Sequence, residues 1–152
     1  MILIRNAEKD DLLTIVKFNT AMAIETEDKS LNIVLLQEGV KSALNNKDLA
    51  FYLIAENDGT AVGQLMVTTE WSDWRNGDFW WIQSVYVTPG FRGKNIYRLL
   101  HEKVQELAKK AGNVCGIRLY VEKNNKIAQK VYDKMGMTKT HYLLYEDDWS
   151  DD

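Results

Sequence analysis

Apolar positions recur along the chain in two spacings, and the changes between them outline its elements. Ile2-Leu3-Ile4 reads as a short strand. From Ala7 to about Glu25, Leu12, Leu13, Ile15, Val16 and Met22 fall near helical spacing. Asp10 and Asp11 stand in the first turn of that helix, where its dipole favours anions. Asn32 to Asn45 repeats the helical pattern with Val34, Leu35, Val40 and Leu44; Asn32 is placed to cap it and Asn45-Asn46 to stop it. Phe51–Ala55, the turn Asn57-Asp58-Gly59-Thr60 and Ala61–Glu70 then read as a hairpin.

Asn76-Gly77 marks a second turn. The run Phe79 to Thr88 is apolar at both alternating sets of positions, which suits a central strand covered on both faces. Pro89 holds Thr88 extended and ends the strand. Gly93 to Ala111 is a helix with Ile96, Leu99, Leu100, Val104 and Leu107 in one stripe, closed by Gly112. Cys115–Glu122 alternates as a strand, Asn125–Met135 is a helix ended by Gly136, and Thr138–Glu146 offers one or two short strands. The order β-α-α-β-β-β-α-β-α-β makes a mixed sheet with helices on its faces, an α/β (α+β) fold.

Composition narrows what such a fold can be for. At 152 residues one domain with a real core is expected. Nineteen basic against twenty-two acidic residues leave a net charge of −3, against nucleic acid or an anionic membrane as partner. The single cysteine, Cys115, makes no internal disulfide, and the ligand count excludes a zinc cluster, so no metal is expected. Without a long apolar run or a signal-like start, the expected compartment is the reducing cytoplasm. The acidic residues from Glu146 onward read as a solvated tail, set at 147–152, after a domain spanning 1–146.

The stretch from Val85 to Leu100 carries the most chemical information. A buried strand leads through a tight loop, holding Arg92 and Lys94, into the start of an amphipathic helix. Helix starts present unpaired N–H groups and partial positive charge, so this loop can cradle a diphosphate. It reads equally as a basic surface loop capping an ordinary helix.

Two motifs separate those readings. Arg92-Gly93-Lys94-Asn95-Ile96-Tyr97 falls in the frame Arg/Gln-x-x-Gly-x-Gly/Ala. Asn125, Ala128, Tyr132 and Gly136 match Asn-x-x-Ala-x-x-x-Tyr-x-x-x-Gly-Phe, with Met137 at the Phe place. With both motifs in order, and the opening Ile4-Arg5-Asn6-Ala7, the chain resembles the GNAT superfamily of N-acetyltransferases over nearly its whole length. The chain departs from the pattern at both loop glycines, replaced by Asn95 and Tyr97. Asn tolerates a left-handed backbone, and the bulk of Tyr97 must point away from the phosphates.

The resemblance implies a mixed, mostly antiparallel central sheet of six or seven strands with about four helices. It implies acetyl-CoA as co-substrate, a small-molecule or peptide primary amine as acceptor, and a homodimer. The strand Phe79–Thr88 should carry a bulge and splay from Cys115–Glu122, so that a pantetheine arm pairs near Val85 and Val87 and the Val85 N–H polarises the acetyl carbonyl. Arg92, Gly93, Lys94, Asn95, Ile96, Tyr97 and Arg98 would hold the pyrophosphate, with Asn125 near the arm. Tyr132 would protonate the leaving thiolate, since a phenol near pKa 10 is a competent acid at neutral pH. By periodicity alone Tyr132 is a core residue, and Asn125 an N-cap.

Gln83 stands where many members place the glutamate that takes the amine proton, and a glutamine is no base. Glu122 is the second choice, also readable as a solvated strand end; the remaining alternative is an amine that arrives neutral. Gln83, Trp71 and Trp74 are the candidate acceptor contacts; Trp71 and Trp74 would form an aromatic wall for the acceptor or a dimer contact, and read equally as hairpin packing. Glu70, Asp73 and Asp78 would favour a cationic acceptor such as a polyamine or amino sugar. Cys115 is expected buried and inert, His101 on the polar side of its helix, and His141 at the surface. The reading is therefore an acetyl-CoA-dependent N-acetyltransferase acting by direct attack. The replacements at Gln83, Asn95 and Tyr97 keep open a non-catalytic acyl-CoA-binding or interaction module on the same fold.

Overall fold

A computed structural model describes residues 1–150. The contacts gather into two units, Met1–Leu119 and the segment from Tyr120 onward. The first unit contains β1 (Ile2–Asn6), α1 (Leu12–Glu27), α2 (Ile33–Asn45), β2 (Phe51–Asn57), β3 (Thr60–Ser72), β4 (Gly77–Val87), α3 (Ile96–Ala111) and β5 (Val114–Arg118). The second contains α4 (Lys126–Lys134).

The five strands lie in chain order, β1-β2-β3-β4-β5. Every pairing is antiparallel except β4 with β5, which is parallel because α3 carries the chain back along the sheet. Asp58 and Gly59 both have positive φ (50° and 83°), which matches the β2–β3 turn to the twist of its strands. The sheet buries both faces. Leu53, Leu65, Val67 and Ile82 pack against Ile96, Leu100 and Val104 of α3. Tyr52 and Ile54 pack on the other face against Ile15 and Val16 of α1 and Val40 of α2.

Several expected boundaries shift for identifiable reasons. The first helix begins at Leu12, because Asn6 is still paired in the sheet, the Ala7 N–H donates to the Tyr52 carbonyl and Lys9–Asp11 form a 3₁₀ turn. Asp11 does more than meet a dipole. Its two oxygens accept from Arg5 at 2.8 and 2.9 Å, and the Glu8 N–H donates to it at 2.7 Å. Asn32 caps α2 as expected, accepting from the Leu35 N–H.

Among the described residues the strand count is five rather than six or seven. Thr138–Glu146 pairs with nothing in the described residues and so forms no strand; β5 stops at Arg118, where its pairing with β4 ends. Asp151 and Asp152 of the expected acidic tail lie outside the described residues. Two side chains reverse their expected burial. Cys115 is exposed, because β5 is the terminal strand of the sheet. His101 is buried at 1% exposure, because the face of α3 on the sheet runs through Ile96, Leu100, His101, Val104 and Ala108, leaving Leu99 partly outside. No helix among the described residues is long and apolar enough to cross a membrane.

Candidate functional site

The site in the first unit starts from a fault in β4. Gln64 of β3 faces Tyr86 and Met66 faces Gln83, so two steps on β3 span three on β4. The extra residue makes a bulge, with Ser84 in the left-handed region at φ 53°. The bulge reverses the side-chain alternation. Before it, Trp80 and Ile82 pack towards α3; after it, Val85 and Val87 do, and Tyr86 turns to the opposite face against Phe18 of α1. Gln64 ties the bulge down from β3. Its Nε2 donates to the Ser84 carbonyl at 3.0 Å, the side chain is wholly buried, and its Oε1 has no hydrogen-bond partner.

β4 parts from β5 just before the bulge. The pairing runs only from Asp78↔Val114 to Trp81↔Arg118. From Ile82 to Val87, about 20 Å of strand, the β4 edge on that side has no strand partner among the described residues. That edge can take an extended, amide-bearing chain by main-chain hydrogen bonds.

The same edge leads into the loop before α3. Gly93 (φ 75°) and Asn95 (φ 64°) both turn left-handed, and Asn95 is the N-cap of α3. That conformation denies its side chain the capping role. Asn32 and Asn125 each cap their own helices through the side chain, whereas Asn95 makes no such bond. The first-turn N–H groups of α3 are left for an outside acceptor, which suits an anion.

The loop side chains are placed unequally. The Lys94 ammonium sits 5.1 Å from the Phe91 ring centre and is exposed. Arg98 bonds Glu102 one turn on. Tyr97 turns its ring to the core beneath α3, and its hydroxyl lies 2.9 Å from His101 Nδ1. Burial pushes the His101 pKa below 6.5, against a weaker pull from Glu102. Arg92 points the other way. Its Nε donates to the Val87 carbonyl at 2.8 Å, and its Nη2 to Glu25 of α1 at 2.9 Å. Hydrogen bonds from Tyr86 and then Arg92 hold Glu25 below the usual carboxylate range, and burial, with Glu25 next, pushes the Tyr86 hydroxyl up. The guanidinium thus terminates β4 and ties it to α1.

Of the expected acceptor contacts, Gln83 is one or two residues from the bulge and donates from Nε2 to Thr68 Oγ1 at 2.6 Å. Trp71 and Trp74 are not brought there. They stand exposed at the β3–β4 turn, and Trp71 pairs with Asp78, roughly 23 Å along β4 from Val85 by strand rise. Glu70, Asp73 and Asp78 belong to that same remote end, where Glu70 is bonded by Trp81 Nε1 and Arg118. The acid surplus offered as a lure for cations is therefore away from the bulge.

In the second unit, Asn125 caps α4 by accepting from the Ala128 N–H. Burial pushes the Tyr132 hydroxyl above 10, which keeps it protonated. Glu122 lies beyond the end of β5; it is exposed, and its Oε2 accepts from the Asn124 N–H. Among the described residues no group of three or more His, Cys, Asp or Glu could hold a metal ion. Sequence reasoning missed Gln64, Ser84, Glu25 and Tyr86. Gln64 alone left a signal, a polar residue inside the apolar run Ala61–Val67.

The model of the acetyltransferase (GNAT) family matches residues 15–137. A possible acetyltransferase from Clostridium difficile 630 is 42% identical, with 99% of each chain covered and a TM-score of 0.90. A predicted acetyltransferase from Clostridium acetobutylicum, solved with acetyl-CoA, is 23% identical with a TM-score of 0.80, covering 97% of this chain and 96% of that one. AAC(6')-Iy, solved with the bisubstrate analog CoA-S-monomethyl-acetylneamine, is 18% identical with a TM-score of 0.78 and 99% of each chain covered. No curated protein matches.

Proposed function

The chain belongs to the GNAT acetyltransferase family, and we propose that it moves the acetyl group of acetyl-CoA onto a primary amine of a small molecule by direct attack. The observation that carries this reading is the bulge at Ser84 on a strand edge left unpaired from Ile82 to Val87. The acetyl-CoA complex of the Clostridium acetobutylicum protein, on the same fold, supports acetyl-CoA as the co-substrate.

This chain's own groups divide the work. The first-turn N–H groups of α3, with Gly93, Lys94, Asn95, Ile96 and Arg98 around them, bind the pyrophosphate. Arg92 contributes by fixing the end of β4, and Tyr97 by anchoring the loop to the core. The main chain at Val85 and Val87 pairs with the pantetheine amides. The Val85 N–H has no register partner on β3 or β5, and it donates to the acetyl oxygen as negative charge grows there; one such donor contributes ~10²–10³ in rate. Tyr132 gives its proton to the departing sulfur, and Asn125 orders the start of its helix. Gln83 accepts or donates a hydrogen bond to the amine without removing its proton. With Glu122 solvated and bonded to its own turn, the amine that reacts is the neutral fraction present in solution; the proton its nitrogen sheds as the amide forms passes to water, and water reprotonates Tyr132 after the thiol leaves.

The bisubstrate analog held by AAC(6')-Iy supports amino sugars as the first acceptors to try. Titration calorimetry with CoA and with acetyl-CoA, beside thiol-release assays on amino sugars, polyamines and peptide amines, tests the reading. Binding with release of thiol and an N-acetylated product is expected. Tight CoA binding with no turnover on any amine would favour the binding-module reading; no binding at millimolar ligand would remove both.

A further inference from the structure

The start of β2 is left uncovered. β1 pairs with it only from Leu53 to Asn57, and beyond that point the Ala7 N–H bonds the Tyr52 carbonyl. The free start of β2, the last turn of α2 and the last turn of α3 enclose a cavity of about 600 Å³, within the size range of small-molecule sites. Ala7, Ala43, Ala50 and Ala111 line it, and their short side chains make the room. Lys110 on its wall is roughly 21 Å along α3 from Ile96, by helical rise. The cavity is therefore remote from the phosphate loop and owes nothing to acetyl transfer.

Two walls are aromatic. Phe51 and Trp80 meet edge to face, ring centres 5.3 Å apart at 72°, and both are only partly buried. Each leaves ring surface that another flat ring can cover. Tyr52 brings a polar group to the same space. It is 5% exposed, and its side chain makes no hydrogen bond among the described residues. Its oxygen is not sealed in the core as Gln64 Oε1 is, so the hydroxyl opens on the cavity that Tyr52 lines. Burial pushes its pKa above 10, which keeps it a donor at neutral pH.

Two cations stand at the mouth. Lys47 follows the end of α2, and Lys110 lies in the last turn of α3, places where helix dipoles favour positive charge. Both are exposed, and neither forms an ion pair among the described residues. Glu106, one turn before Lys110, bonds Lys103 instead. Glu8 is the one carboxylate on the lining. Two cations against one carboxylate suit a single negative charge better than a dianion or an amine. We propose that this cavity binds a flat aromatic monocarboxylate. Its ring lies against Phe51 and Trp80, and its carboxylate accepts from the Tyr52 hydroxyl, with Lys47 and Lys110 as counter-charge.

Calorimetry on the full chain, with naphthoate, naphthamide, naphthylamine and octanoate as probes, tests the site. Saturable binding of one naphthoate per chain is expected, at least tenfold tighter than the other three and unchanged by saturating CoA. Lys47→Glu combined with Lys110→Glu changes only exposed side chains. It is expected to weaken naphthoate at least tenfold and to leave naphthamide alone. Tyr52→Phe keeps the ring and loses the donor, and should weaken naphthoate roughly tenfold, with circular dichroism confirming the fold. CoA binding and thiol release by these variants are expected to be unchanged, so the two sites fail or stand separately. Absence of naphthoate binding at millimolar concentration overturns the proposal. So do equal affinities for the acid and its amide, octanoate binding as tightly as naphthoate, displacement of naphthoate by CoA, or a double charge reversal without effect.

Discussion

Gln64 holds Ser84 in a conformation that a residue with a Cβ rarely adopts, and does so while leaving its own Oε1 unbonded in the interior. Replacing it with leucine removes a hydrogen bond worth about 1 kcal/mol and also an unsatisfied acceptor costing about 1–3 kcal/mol. The two effects on stability oppose each other, while the bulge alone loses its tie. Gln64→Leu is therefore expected to leave the melting temperature within a few degrees and to lower kcat about tenfold, the equivalent of about 1.4 kcal/mol, with the KM for acetyl-CoA little changed. Steady-state kinetics beside a thermal melt check it; a lowered melting temperature with normal kcat would make Gln64 a packing residue only. Tyr132→Phe makes the opposite separation. It keeps the ring and loses the proton, so kcat should fall ~10²–10⁴ with the CoA dissociation constant unchanged. At this scale the sequence is legible where chemistry is local. Asn32 and Asn125 announce their caps because asparagine beside a helix start has few better uses. Ser84 is illegible, since a serine gives no sign that a neighbouring strand will force it left-handed. His101 is misread because a polar ring next to an apolar stripe looks solvated until Tyr97, one turn earlier, is seen to bond it.

The element whose start matters most is α3, and its sequence reads ambiguously because Asn95 and Tyr97 stand where small residues are expected. The structure separates the two substitutions. Asn95 meets the backbone demand itself, at φ 64°, and Tyr97 moves its bulk to the buried side. Asn95→Gly is thus expected to keep or modestly raise CoA affinity. Asn95→Val, with a branched Cβ forced into the left-handed region, should cost about 1–2 kcal/mol and weaken CoA about ten- to thirtyfold. Calorimetry on both variants checks the order; equal affinities would show that the loop's left-handed turn does not set phosphate binding. Periodicity finds β2, β3, β4 and α3 because each buries a face within the first unit. It also proposes a strand at Thr138–Glu146, and the alternation there is real. Periodicity reports which faces want cover, whereas a strand also needs a neighbouring edge, and that information is absent from a local window. The same gap explains why the parting of β4 from β5 is not visible in either strand's residues.

For the whole molecule, the groups whose protonation is biased by folding set a window of stability. Burial holds His101 below 6.5, so the folded chain prefers neutral imidazole. That preference stabilises fully above the unfolded value near 6.5 and is lost as pH falls through the lower folded value, with a slope of at most about 1.4 kcal/mol per pH unit. Asp11, lowered from 3.8 first by its hydrogen bond to Arg5, acts in the same direction at still lower pH. On the alkaline side burial raises Tyr52, Tyr86 and Tyr132 above 10, so their contribution is complete below 10 and is lost as pH climbs beyond it. Stability should therefore be flat between about pH 7 and 9.5, with the His101 contribution lost on the acid side as pH falls below 6.5. His101 is the only histidine in this set, and burial lowers it, which makes its contribution separable. His101→Met fills the same buried site without a titrating ring. It should lose some stability at pH 7, where the hydrogen bond between Tyr97 and the imidazole is gone, yet show almost no further loss on moving to pH 5. Urea unfolding midpoints at pH 5, 6, 7 and 9 for both chains measure the difference, and parallel acid slopes would assign the loss to carboxylates instead.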